Sequence, residues 1–175
     1  MKKLLLKLKL IDFLQTELEI PQSTFANRLK ETVDEGNSSF LDMFSSKKEY
    51  RGYVNSDGFK IKPKRKFFDS NISMAQASGV FIQKDKLLFI NTEINGFNNL
   101  MIPYYIFCII IYTSIVFAIL SAEKINGNAQ EFVFPFILFH SLFMLGMPYI
   151  MMRKSITKLK HELEREFFYL TKERI

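Results

Sequence analysis

The stretch that decides the fold is 101-MIPYYIFCIIIYTSIVFAILSA-122, in which no side chain carries a charge. A second uncharged stretch, 132-FVFPFILFHSLFMLGMPYIMM-152, follows after a short polar connection. A helix needs ~20 mostly apolar residues to cross the ~30 Å hydrocarbon core of a bilayer, and each stretch has that length. Two buried core helices would instead need a larger domain to cover them on every side. The sequence therefore predicts two transmembrane helices, over 101–122 and 132–152.

The linker between these helices, residues 123–131, reads EKINGNAQE and contains the turn dipeptide Asn126-Gly127. Such a short linker predicts an antiparallel helical hairpin over residues 99–152. Its only cation is Lys124, whereas the tail after the second helix begins with Arg153 and Lys154 and the N-terminal region is rich in lysine. Because Lys and Arg are retained on the cytoplasmic side, both termini are expected to be cytoplasmic.

The N-terminus, 1-MKKLLLKLKLIDFL-14, has the opening charges of a signal peptide, but Lys7, Lys9 and Asp12 interrupt its apolar core. It is interpreted as a short amphipathic element of the mature protein, and its spacing fits a helix or a strand. The abundance of Lys, Asn, Ile and Phe is typical of an A/T-rich bacterial genome. We therefore expect a multi-pass protein of the bacterial inner membrane.

Residues 1–98 are predicted to form a cytosolic domain that begins with helices and continues as an antiparallel β meander. The stretch 20-IPQSTFANRLKETVDEG-36 has helical spacing, and after Glu49 the apolar period becomes two. Turn residues divide this second part into four or five strands, the last of which ends at Asn95-Gly96. The predicted class is thus an α+β membrane protein.

The tail, residues 153–175, is predicted to be an amphipathic helix with one apolar stripe. The stripe consists of Ile156, Leu159, Leu163, Phe167 and Leu170. It could pack on the cytosolic domain, on a protein partner or a second copy of the chain, or along the bilayer surface. Packing on the domain is favoured because both termini are expected on the same side of the membrane.

A basic stretch, 59-FKIKPKRKFFD-69, is the strongest charge feature of the domain, and its cations are Lys60, Lys62, Lys64, Arg65 and Lys66. In an extended segment Lys60, Lys62 and Lys64 point to one face and Ile61 to the other. Pro63 lacks an amide donor, and Lys and Pro protect sheet edges, so this strand is predicted to be an edge or to end at Pro63. Three interpretations remain open: a solvated edge, contact with anionic lipid headgroups, and nucleic-acid binding. Nucleic acid is disfavoured because no recognition motif surrounds the stretch. The functional interpretation preferred here is the headgroup contact.

One histidine, His140, falls near the centre of the second apolar stretch, next to Ser141. Ionisable residues within a membrane are costly and often functional. A single histidine without acidic partners makes a poor proton relay, however. We expect a neutral imidazole that bonds a hydroxyl of the other helix, with Thr113 and Ser114 as the candidates.

Catalytic chemistry finds no support in the sequence. His140 and His161 are the only histidines and Cys108 the only cysteine, and the sequence has no phosphate-binding loop or nucleophile elbow. No catalytic residue, metal site or cofactor is predicted. We expect a non-enzymatic, membrane-anchored binding, scaffold or sensor module that contacts the lipid bilayer.

The motifs EYRGYVNSDGFKIK, ASGVF and NTEINGFNNLMIP resemble those of small bacterial membrane proteins of similar layout, a resemblance that implies no activity. The combination of a small β domain with a few transmembrane helices is also similar to that of antiphage membrane effectors. The alternative function is therefore a membrane-disrupting effector, or a channel-like component, gated by its cytosolic domain.

Overall fold

The computed structural model describes residues 2–35, 48–64, 74–121 and 127–172. In chain order the elements are α1 (Lys2–Lys7), β1 (Ile11–Leu18), α2 (Gln22–Thr32), β2 (Val33–Asp34), β3 (Tyr50–Val54), β4 (Gly58–Pro63), β5 (Gln76–Lys84), β6 (Leu87–Asn95), α3 (Met101–Ser121) and α4 (Gly127–Thr171). The predicted α+β class is confirmed. The chain divides into two compact units, one of Met1–Phe97 with Met152–Ile175 and the other of Asn98–Met151.

The first unit is built on a six-stranded sheet with the order β1-β6-β5-β4-β3-β2. Strands β3 to β6 form the predicted antiparallel meander, and β2 joins its far edge by parallel pairing with β3. For the N-terminal stretch the sequence left helix and strand open, and the structure has both, α1 followed by β1. Strand β1 pairs with β6 along its whole length, from Ile11 opposite Asn95 to Leu18 opposite Leu88.

One face of the sheet forms the core, because apolar side chains alternate along each strand and point to the same side. Helix α2 and the C-terminal part of α4 contribute to this core. Four phenylalanines meet there: Phe25 of α2, Phe59 and Phe81 of the sheet, and Phe167 of α4. The Phe167 ring lies 5.4 Å from the Phe25 ring and 5.8 Å from the Phe59 ring, centroid to centroid, and both contacts are edge-to-face.

Polar contacts fix the C-terminal part of α4 in this unit. Ser155 Oγ accepts the backbone amides of Met74 and Ala75, both at 2.8 Å. Lys160 Nζ lies 2.9 Å from Asp12 Oδ2. Burial opposes ionisation of Asp12, but the hydrogen bonds from Lys160 and from the next backbone amide lower its pKa below the usual value. The ion pair is therefore intact at neutral pH, and its contribution is lost as acid protonates Asp12.

The structure corrects the predicted boundaries of the C-terminal half. Residues 127–131, expected in the linker 123–131, are already helical, and a single helix continues to Thr171 instead of separate helices over 132–152 and 153–175. The first apolar helix begins at Met101 as predicted and ends at Ser121. The apolar stripe of the tail is buried on the sheet, which is the first of the three arrangements considered for it.

Replacing Phe167 with Ala should lower the free energy of unfolding by about 3–5 kcal/mol, because the side chain is fully buried between α2 and the sheet. The matched control is Phe168→Ala at the next position, where the ring is 55% exposed. That change should cost less than about 0.5 kcal/mol. Urea denaturation of the detergent-solubilised full chain, followed by tyrosine fluorescence, measures both. Equal losses for the two variants would contradict the packing described.

The second unit contains α3 and the first part of α4, which run antiparallel. Tyr104 Oη donates to the Met144 carbonyl at 2.9 Å, and Tyr105 Oη donates to the Leu145 carbonyl at 3.3 Å. Met144 is four residues before Pro148, which lies inside the helix and has no N–H to bond that carbonyl. The Tyr104 hydroxyl therefore supplies the donor that Pro148 lacks.

Replacing Tyr104 with Phe should destabilise the helix pair by about 1–3 kcal/mol, because the Met144 carbonyl, which Pro148 cannot bond, loses this donor. Tyr105→Phe removes the same hydroxyl one residue away. It should cost less, because the Leu145 carbonyl keeps the Tyr149 amide as a potential helical partner and its bond to Tyr105 is longer. Unfolding in mixed micelles with increasing fractions of denaturing detergent gives the difference. An order of effects opposite to this one would refute the compensation of Pro148 by Tyr104.

Candidate functional site

The first part of the basic stretch lies in β4, where successive side chains point to opposite faces of the sheet, as predicted. Phe59 and Ile61 are buried, whereas Lys60 and Lys62 are exposed on the other face. Of the two alternatives for this strand, the edge is wrong, because β4 lies between β3 and β5. The other is confirmed, because β4 ends at Pro63. Pro63 is tolerated because β5 pairs with β4 only as far as Ile61, so no bond to β5 is lost there.

Lys64, the next cation of the stretch, is mostly buried. Lys64 Nζ forms an ion pair with Asp34 Oδ2 at 3.2 Å, and only 11% of the Lys64 side chain is exposed. Lys64 thus joins the end of β4 to β2. Arg65 and Lys66 lie outside the described residues. The exposed cations of the predicted cluster that can be placed are therefore Lys60 and Lys62.

The face that carries these two lysines, called here the open face, is one side of the sheet. Tyr53 lies opposite Lys60 across the β3–β4 ladder, and 54% of its side chain is exposed. Further large apolar side chains on this face are exposed at Phe13, Val80 and Ile82. A shallow groove of about 360 Å³ runs between Phe13 and Val80, beside Asn91 and Glu93. The open face thus combines cations with apolar and aromatic contact area.

A larger cavity, of about 930 Å³, lies where the sheet turns from β5 into β6 and α2 begins. Its amide groups pair with one another. The Gln22 backbone N–H donates to Gln83 Oε1 at 2.8 Å, and Gln22 Nε2 donates to the Ser56 carbonyl at 2.6 Å. The side chains of Gln22 and Gln83 are thus engaged within the domain.

The predicted hydroxyl partner of His140 is provided by a residue that the sequence analysis missed. Tyr112 Oη and His140 Nδ1 lie 2.7 Å apart, and the Phe136 ring stacks on the imidazole at 6.0 Å. Thr113 and Ser114, proposed for this role, instead donate to carbonyls one turn back in their own helix. Ser141 likewise donates to the Leu138 carbonyl. The long phenol of Tyr112 reaches the neighbouring helix, which the short hydroxyls do not.

Groups suited to catalysis are scattered. In the described part of the chain, no three His, Cys, Asp or Glu side chains are placed to hold a metal ion. His161 Nδ1 lies 3.2 Å from Glu164 Oε2 on the exposed side of α4. His140 belongs to the other of the two units. The two features of the described residues that could serve a function are the open face of the sheet and the Tyr112–His140 pair between the two apolar helices.

Comparisons of the chain with protein-family models, with curated proteins and with solved structures gave no match.

Proposed function

We propose that the protein is a non-enzymatic binding module anchored in a bilayer by α3 and the first part of α4. In this proposal the hairpin crosses the membrane twice, and the first unit, with both termini, lies in the cytoplasm of a bacterial cell. The exposed lysines of β4, Lys60 and Lys62, contact anionic lipid headgroups.

The observation that carries the proposal is the exposure of the apolar helices. Two helices are long and apolar enough to cross a membrane, over Met101–Ser121 and within Val133–Thr171. A core helix of a soluble protein would bury such side chains, whereas here 73% of Phe117 and 72% of Leu138 are exposed. Apolar surface of this extent is unfavourable in water and suited to hydrocarbon. The position of both helices late in the chain also differs from that of a signal sequence.

The open face supports the binding part of the proposal. A sheet covered by helices on one side commonly leaves its other side to water, where polar side chains are expected. The open face instead exposes Phe13, Tyr53, Val80 and Ile82 beside its lysines. Cations near a surface of anionic lipids gain ~1 kcal/mol each, and adjacent aromatic side chains suit the headgroup region.

A second candidate function is the membrane-disrupting effector, which the polar pair of Tyr112 and His140 between apolar helices favours. An effector of this kind should depolarise cells when it is overproduced, and His140→Leu should abolish the effect. A binding module should leave the membrane potential unchanged. A potential-sensitive dye distinguishes the two functions.

The proposed topology predicts opposite labelling of two positions. In a Cys108→Ser background, Asn128→Cys near the start of α4 should react with a membrane-impermeant maleimide in intact spheroplasts. Ser56→Cys, in the exposed connection between β3 and β4, should react only after lysis. Labelling of the Ser56 position in intact spheroplasts would overturn the topology, and release of the chain from membranes by alkaline carbonate would overturn the anchor.

The proposed headgroup contact predicts that Lys60→Gln with Lys62→Gln separates the open face from anionic membranes. The reporter is a fluorophore on Tyr53→Cys, also in the Cys108→Ser background, in the full chain reconstituted into vesicles containing phosphatidylglycerol. Lipids with a nitroxide at headgroup level should quench it, and the double variant should weaken the contact by about 2 kcal/mol. High salt should act in the same way, since exposed charges are screened over ~8 Å at physiological ionic strength.

A matched control removes equal charge from the helices that cover the other face of the sheet, by Lys30→Gln in α2 with Lys158→Gln in α4. It should leave the quenching unchanged. Exposed substitutions of this kind alter folding stability by less than about 0.5 kcal/mol, so the fold should survive in both variants. If the Tyr53 reporter is never quenched, Lys60 and Lys62 are solvated residues and the headgroup contact is wrong.

A further inference from the structure

The N-terminal segment, residues 2–9, presents apolar and basic side chains together. Helix α1 and its last turn are held by Leu5, which is 7% exposed, and by the bond from the Leu10 amide to the Leu5 carbonyl at 2.8 Å. Leu4 remains 59% exposed, and Leu6 and Leu8 are exposed as well. A segment that only covered a soluble domain would not leave three of its four leucines exposed.

The charge of this segment has one sign. Lys2, Lys3, Lys7 and Lys9 are all exposed, and residues 2–9 contain no acidic side chain. Lys2 reaches outside the segment to Glu93 of β6, with Nζ 2.6 Å from Oε2. The other three lysines leave a strongly positive surface around the exposed leucines.

Chain connectivity limits how far this segment can be from the start of α3. The Gly96 amide donates to the Leu10 carbonyl at 3.0 Å, and Ile11 pairs with Asn95. Residues 96–100 alone then separate β6 from α3. The six Cα–Cα steps from Asn95 to Met101 span at most roughly 21 Å when fully extended. The segment is therefore attached to the end of the strand from which the chain continues into α3.

We propose that residues 2–9 form an interfacial foot that binds the anionic surface of the same bilayer that α3 crosses. The exposed leucines enter the boundary between headgroups and acyl chains, and Lys3, Lys7 and Lys9 contact lipid phosphates, as in interfacial anchors that combine apolar side chains with cations. The inference rests on the proposed membrane insertion of α3. It adds a second lipid contact, on a different element from Lys60 and Lys62. A second copy of the chain is a less suitable occupant, because two such segments would repel each other.

The test places one reporter on the foot and one on α3 of the full chain. In the Cys108→Ser background, an environment-sensitive fluorophore is attached to Leu4→Cys or to Phe117→Cys, whose native side chains are both exposed. The chains are reconstituted into vesicles with or without phosphatidylglycerol, which carry a nitroxide either at headgroup level or deep in the acyl region. The Phe117 reporter should be quenched by the deep nitroxide in both kinds of vesicle. The Leu4 reporter should be quenched by the shallow nitroxide, roughly twofold more in anionic vesicles.

The outcomes separate the two proposals. If Phe117 is quenched and Leu4 is not, the foot is wrong while the membrane anchor stands. If Phe117 is not quenched, the anchor fails and the foot fails with it. Energy transfer between labelled Leu4 positions of different chains, without quenching by lipid, would show a second copy as the occupant and overturn the foot.

Matched charge variants test whether the contact is local. Lys3→Gln with Lys7→Gln should remove the extra quenching of the Leu4 reporter in anionic vesicles. Lys84→Gln with Lys86→Gln removes equal charge at the opposite end of β6 and should leave that quenching unchanged. Leu5 is kept in every variant, so the segment stays attached to the domain. If both pairs reduced the quenching equally, the attraction would be one of net charge alone and the foot would be wrong.

Discussion

The structure depends on the burial of the second half of α4 against the sheet. This helix carries no charged residue from Phe132 to Met152 and then keeps a single apolar stripe, which contributes Leu163 and Phe167 to the core. Phe167 contacts Phe25 and Phe59, so the last helix joins α2 to the sheet. Without it, the eleven-residue α2 would be left with a sheet face much larger than itself. The first unit therefore needs both the N-terminal residues and the second half of α4. Residues 1–98 lack the helix that completes their core.

Much of this fold follows from local patterns, and the parts that were mispredicted depend on non-local ones. Period two located β3 to β6, and absence of charge located the two apolar helices. In β1, Phe13, Gln15 and Glu17 alternate with Leu14 and Thr16 between the two faces, which is a strand pattern, but the adjacent leucine–lysine stretch fits a helix equally well. Pairing with β6, 70 to 84 residues away, determines that this part of the chain is a strand. The position of β4 inside the sheet likewise depends on strand order, because Pro63 by itself indicates only an edge strand or the end of a strand.

The candidate sites show the same division. The sequence predicted that Lys60 and Lys62 face away from Ile61, because alternation is local. It did not predict that Asp34 binds Lys64, because β2 reaches that position through parallel pairing with β3. In the helix pair, composition identified His140 but not its partner. Serine and threonine hydroxyls readily bond carbonyls of their own helix, as Thr113 and Ser114 do here, and so are poor candidates for bridging. A tyrosine one residue earlier projects far enough to bridge.

The pairing of β1 with β6 also bears on how such a domain could meet a membrane. An N-terminus that paired elsewhere in the sheet could carry its lysines and leucines to any edge. Here the strand that follows α1 ends its ladder at Asn95, the last residue of the strand that leads into α3. The basic N-terminal segment is thus attached beside the end of β6, five residues before the chain enters α3. Counting charges along the sequence does not identify this segment. Such a count favours the denser basic cluster that begins in β4, in which Lys64 already pairs with Asp34. The pattern of strand pairing, more than the density of cations, therefore indicates where contact with lipid should be sought first.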